Sequence, residues 1–358
     1  MNQRTKSALA VALVVVVVAA GAYEVLASQS PSNPCAGLST TPSNATLSNV
    51  NAAGATPPLS RGPPRVGVPA LALPHSDIVT GTIDVVAAEN FWGSLISQLG
   101  GNRTAVTSIL TDPNADPHEY EAGSSTAVAI TNAQYIVVNG VGYDDWALSL
   151  IAADGKGSGQ LVLNVGDLNG VRVTGGIVSG NPHQWYNPVY VNATVAAMYT
   201  NLTYLQPSST AYFQANYAAL NVSLAQLYGQ ATEIRDQFAG AVVASTESIF
   251  VYLANFTHLD LISPPAFMEA IAEGNDPPAQ SVIQFQCQLE SGQVRVLVYN
   301  EQTVTPIATN MKAIAASHNV TIVGVTETIQ PPGVSFQTWM LGEYLQLQNA
   351  LNAYALGH

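Results

Sequence analysis

The chain is poor in charge and in cysteine. Only 10 of its 358 residues are lysine or arginine, against 23 acidic residues, and the net charge is −13. Nucleic acids are bound mainly through lysine and arginine, so this balance argues against a nucleic-acid partner. Two cysteines are too few for a disulfide framework or for a thiolate metal site. Hydrophobic residues make up 47% of the chain, which is long enough for two lobes.

The first 27 residues have the pattern of an export segment. Arg4 and Lys6 precede an unbroken run of apolar and small residues from Ala8 to Ala22. This run has the length of a signal-peptide core and is short for a membrane span. We therefore expect residues 1–27 to be a signal peptide or an N-terminal membrane anchor. The rest of the chain would then lie on the extracellular face of the cell membrane.

Residues 28–78 have the composition of a solvated tether. They are dense in Ser, Thr, Asn and Pro and show no sustained apolar period. The chain also contains Asn-x-Ser/Thr sequons, which are compatible with a glycoprotein in a host that glycosylates. The sequons begin at Asn44, Asn102, Asn192, Asn201, Asn221, Asn255 and Asn319.

From residue 79 onward, short β-branched runs alternate with longer helical stretches, a pattern typical of parallel sheets with crossover helices. In the first lobe, residues 79–206, the predicted strands are Thr82–Ala87, Ala105–Leu110, Tyr135–Asn139 and Leu161–Val165, and the predicted helices are Phe91–Leu99, Ser125–Ile130 and Trp146–Ala153. In the second lobe, residues 240–358, the predicted strands are Ala241–Ser245, Arg295–Tyr299 and Thr321–Val325, and the predicted helices are Ser248–Ala254, Ala279–Leu289, Thr305–Ser317 and Trp339–Leu356.

Residues 207–239, between the two sets, predict one long connecting helix. Between Pro207 and Phe238 the one helix-breaking residue is Gly229, and apolar residues recur near helical spacing. A helix of roughly 30 residues is about 45 Å long, so it would join the lobes stiffly. The expected fold class is therefore α/β, with two lobes that each contain a parallel sheet flanked by helices, joined by one long rigid helix.

Two Pro-His pairs lie in polar loops of the first lobe. His118 follows Pro117 after a predicted strand, and His183 follows Pro182 in a second loop. A proline restrains the backbone just before each imidazole. One such pair is more often a hydrogen-bonded loop residue than a ligand, but two within one lobe indicate a pair of metal ligands.

Acidic residues follow two predicted strands of the second lobe. Glu247 and Glu327 each come two residues after the end of such a strand. Ligands of open α/β sheets gather at the carboxyl ends of strands, so both carboxylates can face the histidine loops. Glu301 and Asp276 are alternatives to Glu327. Two imidazoles and two carboxylates form a nitrogen and oxygen site suited to Mn²⁺, Fe²⁺ or Zn²⁺.

A site with four protein ligands favours binding over catalysis, because catalytic zinc keeps one position open for water. His118-Glu119 is followed by Ala122 where a zincin would carry its second histidine. We therefore expect a binding protein and no enzyme. The alternative from the enzyme class is a hydrolase that uses Glu119 as its general base.

Six features of the sequence carry a family resemblance: Gly100-Gly101 before a strand, Asp116–Glu121, Asn139-Gly140 with a following Trp146, Asn181–Trp185, the long helix from Pro207, and Glu247–Leu253. In this order they resemble the metal-specific solute-binding proteins of ABC importers, the manganese- and zinc-receptor family of cluster A-I. The resemblance runs from about Thr82 to Leu356.

The resemblance implies that His118 and His183 bind the ion from the first lobe, and Glu247 and Glu327 from the second. The implied protein is a monomeric extracellular receptor that captures Mn²⁺, Zn²⁺ or Fe²⁺ and delivers it to an ABC-transporter permease. The alternative is a tethered metal-binding adhesin or a metal-scavenging surface protein. Zinc-importing members usually carry histidine at the position of Glu247 and often a histidine-rich loop. Residues 155–180 contain no histidine, which favours Mn²⁺ or Fe²⁺.

Overall fold

The computed structural model describes Cys35 and residues 79–112, 120–153, 159–171, 173–174, 177–178 and 180–357. The described part contains two four-stranded parallel sheets flanked by helices, and one long helix between them in the chain. This arrangement confirms the predicted two-lobed α/β fold. Among the described helices, none combines the length and the apolar composition needed to cross a bilayer.

The first lobe alternates strands and helices. Its strands are β1 (Ile83–Glu89), β2 (Thr104–Leu110), β3 (Tyr135–Val138) and β4 (Leu161–Asn164), followed by the short hairpin strands β5 (Val173–Thr174) and β6 (Ile177–Val178). Its helices are α1 (Asn90–Gly100), α2 (Ser124–Asn132), α3 (Asp145–Ala153), α4 (Val165–Asn169) and α5 (Pro188–Leu205). The parallel sheet has the strand order β2-β1-β3-β4. Every residue of β3 is buried, as expected for a central strand covered on both faces.

Helix α6 (Thr210–Phe238) is the predicted long helix and has 29 residues. A short 3₁₀ turn at Pro207–Ser209 precedes it. Its buried residues recur at intervals of three and four from Leu220 onward, so that they form one apolar stripe. They are Phe213, Leu220, Leu224, Leu227, Ala231, Ile234 and Phe238.

The second lobe repeats the topology of the first. Its strands are β7 (Val242–Ser245), β8 (Asp260–Leu261), β9 (Val296–Asn300) and β10 (Thr321–Val325), and its helices are α7 (Val251–Thr257), α8 (Pro265–Ala272), α9 (Ala279–Glu290), α10 (Pro306–Ser317) and α11 (Phe336–Gly357). The strand order is β10-β9-β7-β8, and all pairs are parallel. In both sheets the first strand lies between the second and the third. Chain direction across the sheet therefore reverses there, and ligands of such sheets bind in the resulting crevice at the carboxyl ends of the strands.

One hydrophobic core extends through both lobes. It includes Val85 of β1, Leu227 of α6, Val298 of β9 and Met340 of α11. The stripe on α6 is part of this core, so the long helix is packed along both lobes. Because packed cores deform little, this continuity holds the carboxyl ends of the two sheets in a fixed relation.

Five short α-helices and strands of the described part were not predicted. Helices α4 and α8 have five and eight residues, and strands β5, β6 and β8 have two each. Such segments are too short to show a clear hydrophobic period. Helix α4 is instead set by its ends: the Asn164 side chain accepts the Asp167 N–H at its start, and Gly170 adopts a left-handed conformation at its end.

Two glycines in the described part test the helical framework in opposite directions. Gly229 lies in the middle of α6 and is exposed, and a methyl group added there would meet no atom. We predict that Gly229→Ala raises the free energy of unfolding by about 0.5–1 kcal/mol, because alanine loses less backbone entropy in a helix.

Gly170 serves as the matched control. A methyl group there would also meet no atom, but the φ angle is +71°. Gly170→Ala is therefore predicted to lower the free energy of unfolding by about 1 kcal/mol. Urea unfolding of both variants checks the pair, and equal effects of the two substitutions would contradict the assigned backbone conformations.

Candidate metal centre

His183 lies in the loop between β6 and α5, and its side chain is fully buried. The Oδ1 atom of Asn181 accepts hydrogen bonds from the His183 backbone N–H at 2.9 Å and from ring Nδ1 at 2.7 Å. Because Oδ1 accepts the backbone N–H, it also acts as an acceptor for the ring, and Nδ1 carries a proton. Nε2 is then the ring atom that faces the second lobe. Outer hydrogen bonds of this kind fix the orientation of metal-binding histidines.

Glu247 and Glu327 come from the second lobe, two residues after the ends of β7 and β10. The Nε2 atom of His183 lies 3.1 Å from Glu247 Oε1 and 3.8 Å from Glu327 Oε2. All three side chains are fully buried, and their candidate ligand atoms lie within 4.8 Å of one another. One imidazole and two carboxylates therefore converge on a volume the size of an ion.

Three donors orient the two carboxylates. The Asn300 amide donates to Glu247 Oε2 and to Glu327 Oε1, both at 2.6 Å. Thr303 donates to Glu327 Oε1 at 3.1 Å, and the Tyr143 hydroxyl donates to Glu327 Oε2 at 2.7 Å. Burial, followed by the neighbouring charge of Glu327, raises the pKa of Tyr143 above its ordinary value. The hydroxyl is thus kept protonated as a donor.

Aromatic rings cover His183 on the side of the first lobe. The centroid of the Trp185 ring lies 5.2 Å from that of His183 and 5.3 Å from that of Tyr143. Phe91 stacks on Trp185 with a centroid distance of 4.2 Å. These rings are buried, so the imidazole has little room to rotate, and water reaches it less easily.

Of the four predicted site residues, the structure brings together His183, Glu247 and Glu327. His118 and Glu119 lie in the segment 113–119, outside the described residues. The two alternatives to Glu327 differ from it in burial. Glu301 and Asp276 are exposed, whereas Glu327 is fully buried. No free thiol lies in the described part of the chain, so the donors gathered here are nitrogen and oxygen.

Sequence reasoning missed the residues that hydrogen-bond to His183, Glu247 and Glu327. Asn300 is the last residue of β9, and Tyr143 and Asn181 lie in loops at the carboxyl edge of the first lobe. For Asn300, its position directly after a predicted strand was a usable signal of a role at the site. Single polar residues in loops give no such signal. The bond from Tyr143 to Glu327 spans 184 residues, and a partner so far away cannot be inferred from spacing.

Glu343 of α11 connects the segment after His183 to the residue before Glu327. Its carboxylate accepts hydrogen bonds from the Tyr186 hydroxyl at 2.5 Å and from the Thr326 backbone N–H at 3.0 Å. Tyr186 follows His183 by three residues, and Thr326 precedes Glu327. Burial raises the pKa of Glu343 to about 7, against the lowering effect of these hydrogen bonds.

Glu89 and Asp144 form a second pair of buried acidic residues, in the first lobe. Asp144 accepts the backbone N–H groups of Asn139 and Gly140 at 2.6 and 2.8 Å, which closes the loop leading to Tyr143. Burial raises the pKa of Asp144 to about 6. Burial and the charge of Asp144 raise the pKa of Glu89 well above its ordinary value. Glu89 is therefore expected to stay protonated, while Asp144 accepts the two backbone hydrogen bonds.

The profile of the family described as "Zinc-uptake complex component A periplasmic" (ZnuA) matches residues 85–350, about three quarters of the chain. The chain belongs to this family. Membership in the ZnuA family confirms the resemblance to metal-specific solute-binding proteins, and the match covers both lobes and the long helix.

Individual proteins similar to this chain share little sequence identity with it. The manganese-binding lipoprotein MntA of Halalkalibacterium halodurans is 24% identical over 192 residues, which cover 50% of this chain and 59% of that protein. The periplasmic zinc-binding protein TroA of Treponema pallidum superposes with a TM-score of 0.65 at 16% identity, over 76% of this chain and 99% of TroA. A mutant of the laminin-binding adhesin Lmb of Streptococcus agalactiae gives 0.64 at 19% identity, over 75% and 99%. At these identities the two structures establish the shared fold alone.

The raised pKa of Glu343 predicts a pH dependence of stability. The reference value is 4.5 and the folded value is about 7, so the folded state holds this proton more tightly than the unfolded state. Its contribution to stability is complete below pH 4.5 and is lost as the pH rises through 7. Between pH 5 and 7 this group lowers the free energy of unfolding by up to about 1.4 kcal/mol per pH unit.

Glu343→Gln removes this ionisable group. We therefore predict that the free energy of unfolding of this variant changes less with pH between 5 and 7 than that of the wild type. Urea unfolding of chelator-treated protein at pH 5, 6, 7 and 8 measures the slope. Glu269→Gln, at an exposed position of α8, is the control and should follow the wild type. Parallel curves for wild type and Glu343→Gln would contradict the assigned ionisation.

Proposed function

We propose that this protein captures a divalent transition-metal ion between its two lobes and delivers it to the permease of an ABC importer. The observation that carries the proposal is the convergence of His183 Nε2 with carboxylate oxygens of Glu247 and Glu327 in a fully buried position. Imidazole and carboxylate from opposite lobes are suited to hold an ion that stabilises the contact between the lobes. Membership in a family of zinc-uptake components supports the transport role.

The proposed ligands are His118, His183, Glu247 and Glu327. Two carboxylates and two neutral imidazoles would balance the charge of a divalent ion, which makes burial of the acids favourable. A site filled by four side chains leaves no position for a reacting water, and this favours binding over catalysis. The donor set accepts Zn²⁺, Mn²⁺ and Fe²⁺.

The same proposal extends to the parts of the chain outside the described residues. Residues 1–27 would export the protein or anchor it, and residues 28–78 would tether it to the outer face of the membrane. The lobes would comprise residues 79–206 and 240–358, with residues 207–239 as the connection. The protein would act as a monomer whose loaded surface is recognised by the permease, and the exposed sequons would carry sugar in a glycosylating host.

Release and capture of the ion would involve small movements. The hydrophobic core shared by both lobes opposes a wide opening of the cleft. We propose that capture of the ion is accompanied by local ordering of the loops around it.

His118→Ala and His183→Ala are each predicted to lower metal affinity by at least roughly tenfold without unfolding the protein, because each removes one ligand. Competition with a fluorescent chelator measures the affinity for Zn²⁺ and Mn²⁺. His258→Ala, at an exposed position, is the control and should bind as the wild type does. Wild-type affinity in both ligand variants would contradict the proposed site.

Delivery is tested with the permease and its ATPase reconstituted in vesicles. Metal-loaded wild-type protein is predicted to stimulate ATP hydrolysis and uptake of the ion, whereas His183→Ala at the same metal concentration is not. A protein that binds the metal but stimulates neither would support capture and contradict delivery.

A further inference from the structure

Asn300 occupies the position in the second lobe that lies between both proposed carboxylate ligands. It ends β9, and β9 is paired with β7 on one side and with β10 on the other. The register pairs Ser245 with Val298 and Val325 with Asn300. The residues that follow β7 and β10, Glu247 and Glu327, therefore flank the Asn300 side chain at the carboxyl edge of the sheet.

The orientation of the Asn300 amide is fixed by its other contact. Its Oδ1 atom accepts the backbone N–H of Gln302 at 3.0 Å, so Nδ2 must face the carboxylates. Nδ2 lies 2.6 Å from Glu247 Oε2, 2.6 Å from Glu327 Oε1 and 3.0 Å from Thr303 Oγ1. The two amide hydrogens serve the two short contacts. Asn300 is 1% exposed, so water competes little for these bonds.

As a result, the two oxygens of each carboxylate have different roles. Glu247 Oε2 is held by Asn300, whereas Glu247 Oε1 accepts no hydrogen bond from the described residues and lies toward His183. Glu327 Oε1 accepts from Asn300 and Thr303, whereas Glu327 Oε2 accepts from Tyr143 and lies toward His183. Each glutamate thus turns one oxygen toward the imidazole and holds the other in a hydrogen bond to the same amide.

This difference between the two oxygens of each carboxylate limits how Glu247 and Glu327 can coordinate an ion. A carboxylate that binds through one oxygen supplies one ligand, and one that binds through both supplies two. Two one-oxygen carboxylates, His183 and the proposed ligand His118 would together give four ligands, the number that Zn²⁺ takes in closed protein sites. Mn²⁺ favours six ligands, mostly oxygen. Since His183, Glu247 and Glu327 are fully buried, additional water ligands have little access.

We propose that Asn300 is a specificity-determining residue, which restricts Glu247 and Glu327 to one-oxygen coordination and so favours Zn²⁺ over Mn²⁺. The proposal rests on the proposed metal-binding function. It opposes the preference for Mn²⁺ or Fe²⁺ that the absence of a histidine-rich loop indicates. Asn300 does not touch the ion; it acts through the carboxylates.

The test compares wild type, Asn300→Ala and Thr303→Val. Competition with a fluorescent chelator gives the Zn²⁺ and Mn²⁺ affinities, and X-ray absorption at the zinc edge gives the number of atoms bound directly to zinc. Asn216→Ala is the matched control, because this α6 residue donates its amide to Leu99 O at 2.9 Å, away from the site. Circular dichroism of every variant establishes that it is folded.

Wild type is expected to show about four nitrogen and oxygen neighbours around zinc. Asn300→Ala is expected to raise that number and to shift the ratio of Zn²⁺ to Mn²⁺ affinity by roughly tenfold toward Mn²⁺. Thr303→Val, which removes one of the two donors to Glu327 Oε1, should shift the ratio less in the same direction. Asn216→Ala should shift neither quantity.

Equal loss of affinity for both metals in Asn300→Ala, with an unchanged ligand number, would overturn the inference and leave Asn300 with a structural role. If Asn300→Ala does not fold, an unchanged ratio in Thr303→Val overturns the inference instead. The proposed function fails separately: wild type would bind neither metal, or His183→Ala would bind as wild type does.

Discussion

The constraint on which this structure depends is the burial of two carboxylates beside one imidazole. Glu247, Glu327 and His183 have no exposed side-chain surface, and they come from strands and loops of different lobes. Burying carboxylates is unfavourable unless hydrogen bonds or a cation compensate for their lost hydration. Asn300, Thr303 and Tyr143 provide hydrogen bonds, and a divalent ion bound between the lobes would provide the charge.

The rest of the fold fixes the positions of these groups. The repeated strand order places the crevice of each sheet at its carboxyl edge, where the loops that carry Glu247 and Glu327 begin. Glu343 joins the loop after His183 to the residue before Glu327, and the shared core joins the sheets below them. If the site holds an ion as proposed, the geometry of its oxygens would contribute more to selection than movement of the lobes.

The general architecture was predictable from the sequence, and so was the convergence of three of the four residues proposed as ligands, His183, Glu247 and Glu327. Alternating strands and helices, the long apolar period of α6, and acids placed just after strands all reflect local rules. Asn300, Tyr143 and Glu343 were not predicted, because their roles arise from contacts between segments far apart in the chain. Elements such as β8 and α8 were missed for a related reason, since neighbouring segments stabilise them and their own sequence period does not.

The central claim is tested most directly by locating the ion. Anomalous diffraction from crystals of the zinc-loaded protein shows where zinc is bound. The predicted result is one ion per chain, with His183 Nε2 and one oxygen each of Glu247 and Glu327 at about 2.0–2.2 Å. Zinc bound at another position, or with either glutamate turned away from it, would contradict the account.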